Sequence, residues 1–264
     1  AAAALKRAVE LDPKHLLSRR MLARALETAG QADEAIPVWR AVVAAEPDDA
    51  VANQRLAILL AKQGKHEEAI TALTAARKSM PDDMELCLTL AASCEALSRW
   101  DDVAAFLSLV ARERPKDTAL LERISTAHQA GSRFDEAAAA YQKVIDAGRR
   151  DAPAFVHLAK LYEQAKKPEA ALRAYQEAYR VEPRSVSHIR MIAALMQTMG
   201  RGAEAIQWLQ GATGIDPRDA EVRFALASAF LAMGKRAEAN AEYAILCKLD
   251  TALATKLYYL LGGR

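Results

Sequence analysis

Proline recurs in this sequence at a fixed interval of 34 residues. Six of the nine prolines form two runs, in which each neighbouring pair is one interval apart: Pro13, Pro47, Pro81 and Pro115, then Pro183 and Pro217. The gap between the runs is twice 34 residues, with Arg149 at its midpoint, so the register continues across it. A period of about 20 to 50 residues is typical of repeat proteins, in which each unit buries its apolar face against its neighbours. The spacing therefore predicts a repeat architecture.

Small and apolar residues return at one phase of this period. A large apolar residue is followed by a small one in seven places: Leu22 with Ala23, Leu56 with Ala57, Leu90 with Ala91, Ile124 with Ser125, Leu158 with Ala159, Ile192 with Ala193 and Leu226 with Ala227. Small residues let two helices approach, and large ones fill the space between them. Alanine supplies 59 of the 264 residues, and its abundance favours helix almost everywhere. The pattern predicts an all-α chain.

Residues typical of helix ends mark two helices in each unit. Good N-capping residues recur near the proline phase: Asp49, Asp83, Asp117, Asp151, Ser185 and Asp219. Glycines that suit a helix C-terminus follow at Gly30, Gly64, Gly200 and Gly234, and the other units carry Ser98, Ser132 and Lys166 there. Acidic residues then favour the start of a second helix. Pro37 lies in the first turn of such a helix, where we expect a small distortion rather than a break.

The repeating unit has two helices per period, with a Leu-Ala pair in the first helix, Gly at the turn, Ala and an aromatic residue in the second helix and Pro at the end. This unit resembles the tetratricopeptide repeat family. Residues 152–185 carry most of this pattern. The resemblance implies one domain over residues 1–264, folded as a right-handed superhelical solenoid of antiparallel helix pairs. Complete repeats are expected at 16–49, 50–83, 84–117, 118–151, 152–185, 186–219 and 220–253, with the second helix of a truncated repeat at 1–15 and a short capping helix and tail at 254–264.

Two arginines depart from the apolar pattern of these repeats. Arg19 and Arg223 stand where a residue that fills the wall between helices is usual. Arginine can bury its aliphatic stem and keep its charged head in water. We therefore expect both heads to reach solvent.

The charge balance and the cysteines limit the class of partner and the compartment. Lys and Arg number 36 against 34 Asp and Glu, so the chain lacks the basic excess that phosphate backbones attract, and nucleic acid is not expected as a partner. No apolar run reaches the roughly 20 residues that span a bilayer, so direct membrane insertion is not expected. Cys87 and Cys94 are expected to be buried thiols, with Cys247 alone elsewhere, and this odd, unpaired count of cysteines favours a reducing compartment. The cytoplasm is the expected location, with the periplasm as the alternative if a signal sequence precedes residue 1.

Neither catalysis nor a cofactor is indicated by the sequence. The five histidines fall at unrelated phases of the repeat, and none pairs with Cys, Asp or Glu at a metal-ligand spacing. No glycine-rich phosphate loop follows a predicted strand. We therefore expect a non-enzymatic protein with no cofactor and no metal.

The resemblance implies that the first helix of each repeat lines a concave groove that holds a segment of a partner protein. Eight residues on that face are the candidate partner-binding site: Arg20, Arg24, Gln54, Arg55, Arg123, His157, Lys160 and Arg190. Arg20, Arg24 and Arg55 on adjacent helices would form a carboxylate-binding cluster. The alternative is that these side chains are ordinary solvated helix faces. The leading hypothesis is an adaptor or scaffold that binds a protein or peptide segment, with carboxylates on the partner if the arginine cluster is used.

Two other functions are open on the sequence alone. One is the repeat arm of a larger bacterial machine, either an exopolysaccharide synthesis or export apparatus or a transferase. The Ala- and Arg-rich composition suits a GC-rich bacterial genome. The other is a scaffold that forms a homo-oligomer, because terminal repeats without polar caps can stack through their exposed ends.

Overall fold

Helices make up all the regular secondary structure of residues 2–263, which a computed structural model describes. The chain divides into two units at residues 133 and 134. The first unit holds α1 (Ala2–Leu11), α2 (Leu16–Thr28), α3 (Ala32–Ala45), α4 (Ala50–Lys62), α5 (His66–Ser79), α6 (Met84–Ala96), α7 (Trp100–Glu113) and α8 (Thr118–Ala130). The second unit holds α9 (Phe134–Asp146), α10 (Ala152–Gln164), α11 (Pro168–Val181), α12 (Val186–Thr198), α13 (Gly202–Ile215), α14 (Ala220–Ala232), α15 (Arg236–Leu249) and α16 (Thr251–Leu260). The predicted all-α fold is confirmed.

Consecutive helices pack in pairs within each unit. The pairs are α2 with α3, α4 with α5 and α6 with α7 in the first unit, and α10 with α11, α12 with α13 and α14 with α15 in the second. A short turn joins the two members of each pair, so they run antiparallel. We call α2, α4, α6, α8, α10, α12 and α14 the first helices, and α3, α5, α7, α9, α11, α13 and α15 the second helices.

Six first helices begin at the capping residues that the sequence predicts. In each of them a side-chain oxygen accepts a hydrogen bond from the backbone N–H three residues further on, and the capping residues are Asp49, Asp83, Asp117, Asp151, Ser185 and Asp219. The distance is 2.8 Å for Asp83 and Asp151. Such a cap stabilises a helix by about 1 kcal/mol. The starts of these helices are therefore fixed by one side chain each.

The turns that follow the first helices use left-handed backbone. Gly30, Gly64, Gly200 and Gly234 have φ between 73° and 76°, and Ser98, Ser132 and Lys166 adopt φ of 56°, 59° and 57° at the same phase. Glycine takes this conformation without strain because it has no Cβ atom. Other residues lose roughly 1 kcal/mol there. The seven turns thus share one geometry although only four of them have the residue that suits it best.

The predicted Leu-Ala pairs are buried in both units. Leu56, Ala57, Leu90 and Ala91 lie in the core of the first unit, as Ile192 and Ala193 do in that of the second. Burial of one Leu or Ile side chain contributes about 1.5–3 kcal/mol. Helix α3 also continues through Pro37 without a break, as expected.

A last helix, α16, lies against α14 and α15. It begins at Thr251, before its predicted start at residue 254, because Asp250 accepts hydrogen bonds from the N–H groups of Ala252 and Leu253 at 2.8 and 2.9 Å. Its inner face buries Ala254 and Leu257. Its outer end leaves three large apolar side chains exposed: Tyr258, Tyr259 and Leu260.

The expectation that Arg223 reaches solvent is wrong. Its side chain is only 13% exposed and forms an ion pair with Glu242 of α15, which is 15% exposed, at 2.7 Å. Its Nε also donates a hydrogen bond to the carbonyl oxygen of Pro217 at 2.9 Å. A charged group enclosed between helices must have its hydrogen bonds satisfied. Glu242 and Pro217 supply the acceptors, so the guanidinium stays in the wall of the second unit.

The thiols of Cys87 and Cys94 are buried, as predicted, and that of Cys247 is exposed. Burial raises the pKa of both buried thiols. Among the described helices, none is both long enough and apolar enough to cross a bilayer.

Candidate functional site

The eight candidate site residues all lie on first helices. In the first unit Arg20 and Arg24 are on α2, Gln54 and Arg55 on α4 and Arg123 on α8. In the second unit His157 and Lys160 are on α10 and Arg190 is on α12. Spacings of three, four and seven residues bring side chains to one face of a helix. Met21 and Arg24 therefore share a face of α2.

Arg20 is held by two carboxylates of its own unit. Its guanidinium forms ion pairs with Glu46 and, at 2.7 Å, with Asp49. Glu46 is the C-cap residue of α3, and Asp49 is the N-cap residue of α4. Arg20 therefore joins α2 to the turn between α3 and α4, and its charge is largely balanced inside the unit.

Three other candidate arginines pair with a glutamate on a neighbouring first helix. Arg55 of α4 lies 3.2 Å from Glu27 of α2, and Arg123 of α8 lies 3.2 Å from Glu95 of α6. In the second unit Arg190 of α12 pairs with Glu221 of α14. Most of these side chains are well exposed, so each pair stabilises the fold by no more than about 1 kcal/mol. A carboxylate on a partner can replace the glutamate at small cost.

The other candidate residues have different surroundings. Within residues 2–263, the side chains of Arg24 and Lys160 are exposed and no ion pair is formed by either. Gln54 is half-buried on α4. The ring of His157 packs on Tyr141 with 4.4 Å between centroids, so His157 has a packing role. Of the three arginines predicted to form one cluster, Arg24 is thus the one whose charge is not balanced by a described carboxylate.

Three exposed apolar side chains on the same helices were missed by the sequence analysis. Leu17 and Met21 of α2 are 59% and 50% exposed, and Val51 of α4 is 53% exposed. Leu17 and Val51 are one period apart, at a phase where the other units carry Glu85, Ala119, Pro153, Ser187 and Glu221. The sequence therefore held one signal for these residues: only Leu17 and Val51 are bulky and apolar at this phase of the repeat. With Arg24, these residues form a mixed apolar and basic patch, which we call the α2 patch: Leu17, Met21, Arg24 and Val51.

Groups of side chains suited to a metal are not found in the described part of the chain. No cluster of three or more His, Cys, Asp or Glu residues with metal-binding geometry occurs within residues 2–263.

Comparison with solved structures supports the fold. The chain aligns with a chain of the Naa15/Naa10 complex bound to HypK-THB with a TM-score of 0.69 at 16% identity, over 92% of this chain and 38% of that one. It aligns with MamA protein with a TM-score of 0.50 at 15% identity, over 65% of this chain and 94% of that one. The chain thus spans well under half of the Naa15/Naa10 relative, and identities this low show the fold alone.

Sequence comparison identifies the repeat itself. No curated protein matches the chain. One family model described as tetratricopeptide repeat matches residues 28–84 and 60–124, and a second with the same description matches residues 1–53 and 123–185. Because both models describe the same repeat and together extend over residues 1–185, the chain belongs to the tetratricopeptide repeat family.

Proposed function

We propose that this protein is a non-enzymatic interaction scaffold that binds a segment of a partner protein on the exposed face of its first helices. The α2 patch is the observation that supports this proposal most strongly. Exposed apolar residues are normal when they are scattered, but Leu17, Met21 and Val51 come from adjacent first helices of one unit. The structure of Naa15/Naa10 bound to HypK-THB is itself a protein assembly, which favours the same class of function here.

The α2 patch offers both kinds of contact that an interface needs. Apolar area from Leu17 and Met21 supplies the hydrophobic contribution, and Arg24 supplies a charged donor that a carboxylate can accept from. Arg20 and Arg55 flank the patch but already pair with Glu46, Asp49 and Glu27. We therefore assign the specific recognition of a carboxylate to Arg24 and a supporting role to the other two arginines. Micromolar affinity for one segment is the expected range.

The remaining candidate residues extend the proposed surface within each unit. Gln54 and Arg123 continue it in the first unit, and His157, Lys160 and Arg190 form the proposed contact face of the second. The assignment of residues 1–264 to one repeat domain, with seven complete repeats, remains a proposal as well.

The decisive experiment uses a partner isolated by affinity purification with the full chain. Its dissociation constant is then measured for the wild type and for the double variant Met21→Glu, Arg24→Glu. We expect binding to weaken by at least about tenfold, because an apolar anchor and a cation are both replaced by repelling carboxylates.

The matched control is Lys78→Glu, which reverses an exposed charge on the second helix α5. This variant should bind as the wild type does. If the double variant bound the partner with unchanged affinity, the α2 patch would not be the binding site.

Self-association is a second candidate function, and the C-terminal end of the second unit favours it. Tyr258, Tyr259 and Leu260 of α16 are exposed, and Ile245 of the contacting helix α15 is exposed as well. We propose that this end joins a second copy of the chain.

A further inference from the structure

A groove in the second unit lies on the opposite side of the helix pairs from the first-helix faces. It runs between the second helices α9 and α11, and α10 forms its floor. Phe155, Leu158 and Tyr162 of α10 and Ile145 of α9 make the floor apolar and partly aromatic. Two arginines line the same groove: Arg150, just before α10, and Arg173 of α11. None of these residues belongs to the α2 patch or to the other candidate contacts.

The first unit contains the same groove three periods of 34 residues earlier in the chain. There Arg40 of α3 and Glu68 of α5 lie on opposite sides and form an ion pair across it. Thr71 stands at the place of Arg173, and Glu68 at the place of Ala170. The charges that line the first-unit groove therefore balance each other.

The columns of the repeat show that the second-unit groove is the exceptional one. Every other unit has an acidic residue at the phase of Ala170: Glu34, Glu68, Asp102, Glu136, Glu204 and Glu238. The phase of Arg173 is uncharged everywhere else: Pro37, Thr71, Ala105, Ala139, Gln207 and Ala241. The second-unit groove thus has Ala170 where every other unit has an acidic residue, and it has Arg173 where every other unit has an uncharged one.

The positive charge of this groove is not balanced within the second unit. Arg150 and Arg173 are exposed, and no ion pair of either is present within residues 2–263. Glu177 of α11 also lines the groove, four residues beyond Arg173, and Asp151 follows Arg150 directly, but each of these carboxylates has another partner. Glu177 pairs with Arg180 at 2.5 Å, and Asp151 both caps α10 and pairs with Arg149 at 3.4 Å. Two cations therefore face a partly aromatic floor with no partner of their own.

We propose that this groove is a second binding site, and that its occupant is a peptide segment in which a bulky apolar residue stands next to Asp or Glu. The apolar side chain packs on Phe155 and Tyr162, and the carboxylates accept hydrogen bonds from Arg150 and Arg173. Guanidinium groups match carboxylates well because they can donate two parallel hydrogen bonds. The apolar floor favours a peptide over a small inorganic anion, which would leave that floor uncovered.

An array of short synthetic peptides tests the proposal with the full chain. Each peptide carries Phe, Tyr or Leu beside either Glu or its neutral isostere Gln, and the best binder is then measured by fluorescence anisotropy. We expect the Glu peptides to be preferred, and the preference to fall about tenfold in Arg173→Ala, since one charge-assisted contact is lost. Ala170→Glu keeps both arginines but places a carboxylate at i, i+3 from Arg173, and it should weaken binding similarly.

The repeat supplies controls for these variants. Alanine and glutamate already occupy the equivalent phases of other units, so both substitutions suit the fold, and circular dichroism will verify this. Arg40→Ala in the first-unit groove should leave peptide binding unchanged. Equal binding of Glu and Gln peptides, no binding at all, or wild-type affinity in Arg173→Ala would overturn the proposal. Full displacement of the peptide by inorganic phosphate at equal concentration would show a small-anion site instead.

The test also separates this groove from the proposed first-helix function. The double variant Met21→Glu, Arg24→Glu should bind the array peptides as the wild type does. If it loses its isolated partner but retains the peptides, both proposals stand. If it retains the partner, the first-helix proposal fails and the groove is unaffected.

Discussion

Arginine side chains act differently according to the carboxylates around them. Arg55 and Arg123 reach a glutamate on the preceding first helix at the protein surface, where an ion pair contributes little. Arg223 and Glu242 are shielded from water, so each depends on the other. Arg24 and Arg173 have no carboxylate partner among the described residues, so their charge is available to a ligand. The surroundings of each guanidinium therefore decide between a structural and a binding role.

Removal of Arg223 should destabilise the second unit strongly. We expect Arg223→Ala to lower the free energy of unfolding by about 3 kcal/mol, because Glu242 is left charged and shielded without a partner. Urea denaturation followed by circular dichroism measures this change.

Arg180→Ala is the control, since Arg180 pairs with Glu177 while it is mostly exposed. A change below about 0.5 kcal/mol is expected there. Similar effects of the two substitutions would contradict the structural role of Arg223.

At the scale of the helix, the ends are fixed by single residues and the turns carry a measurable strain. The caps of α4 and α10 each rest on one Asp, Asp49 and Asp151. The turns at Ser98, Ser132 and Lys166 use left-handed backbone without glycine. This strain is local to the turn and can be removed without changing a packed residue.

Lys166→Gly should therefore stabilise the protein. The substitution relieves a φ of 57° at an exposed position, and we expect a gain of about 1 kcal/mol in the free energy of unfolding. Thermal and urea denaturation measure it. The reverse change, Gly200→Ser at φ 76°, should destabilise by a similar amount, and a gain in stability from that change would contradict the explanation.

Helix boundaries could be predicted from the sequence because their causes are local. Asp83 bonds to a backbone N–H three residues away, and the turn at Gly64 depends on that residue itself. The pairing of Arg223 with Glu242 could not be predicted, since it joins side chains on two helices. The eight candidate site residues could be placed on first helices from the period. The period does not show which of these residues are paired with a carboxylate. Arg20 pairs with Glu46 and Asp49, and Arg55 pairs with Glu27, because of how the side chains pack.

At the scale of the whole chain, apolar surface remains at the end formed by α16. Tyr258, Tyr259 and Leu260 are large side chains in contact with solvent, and burial of such area drives association.

We expect a concentration-dependent shift from monomer to dimer, and we expect the double variant Tyr259→Ser, Leu260→Ser to remove it. Sedimentation equilibrium over a range of concentrations measures the mass. The control Leu17→Ser changes an equally exposed apolar residue of the first unit and should leave the shift in place. A wild-type chain that stays monomeric at all concentrations would exclude assembly through this end.

The contrast between the three cysteines has a consequence for oxidative chemistry. Cys87 and Cys94 lie in the core of the first unit on α6, and their raised pKa keeps them in the unreactive thiol form. Cys247 on α15 meets solvent directly. An oxidant in the surroundings therefore reaches Cys247 first, and it reaches the other two only when the core around α6 opens. Oxidation is therefore expected first at Cys247 in the second unit, whereas Cys87 and Cys94 in the first unit stay reduced while its core remains folded.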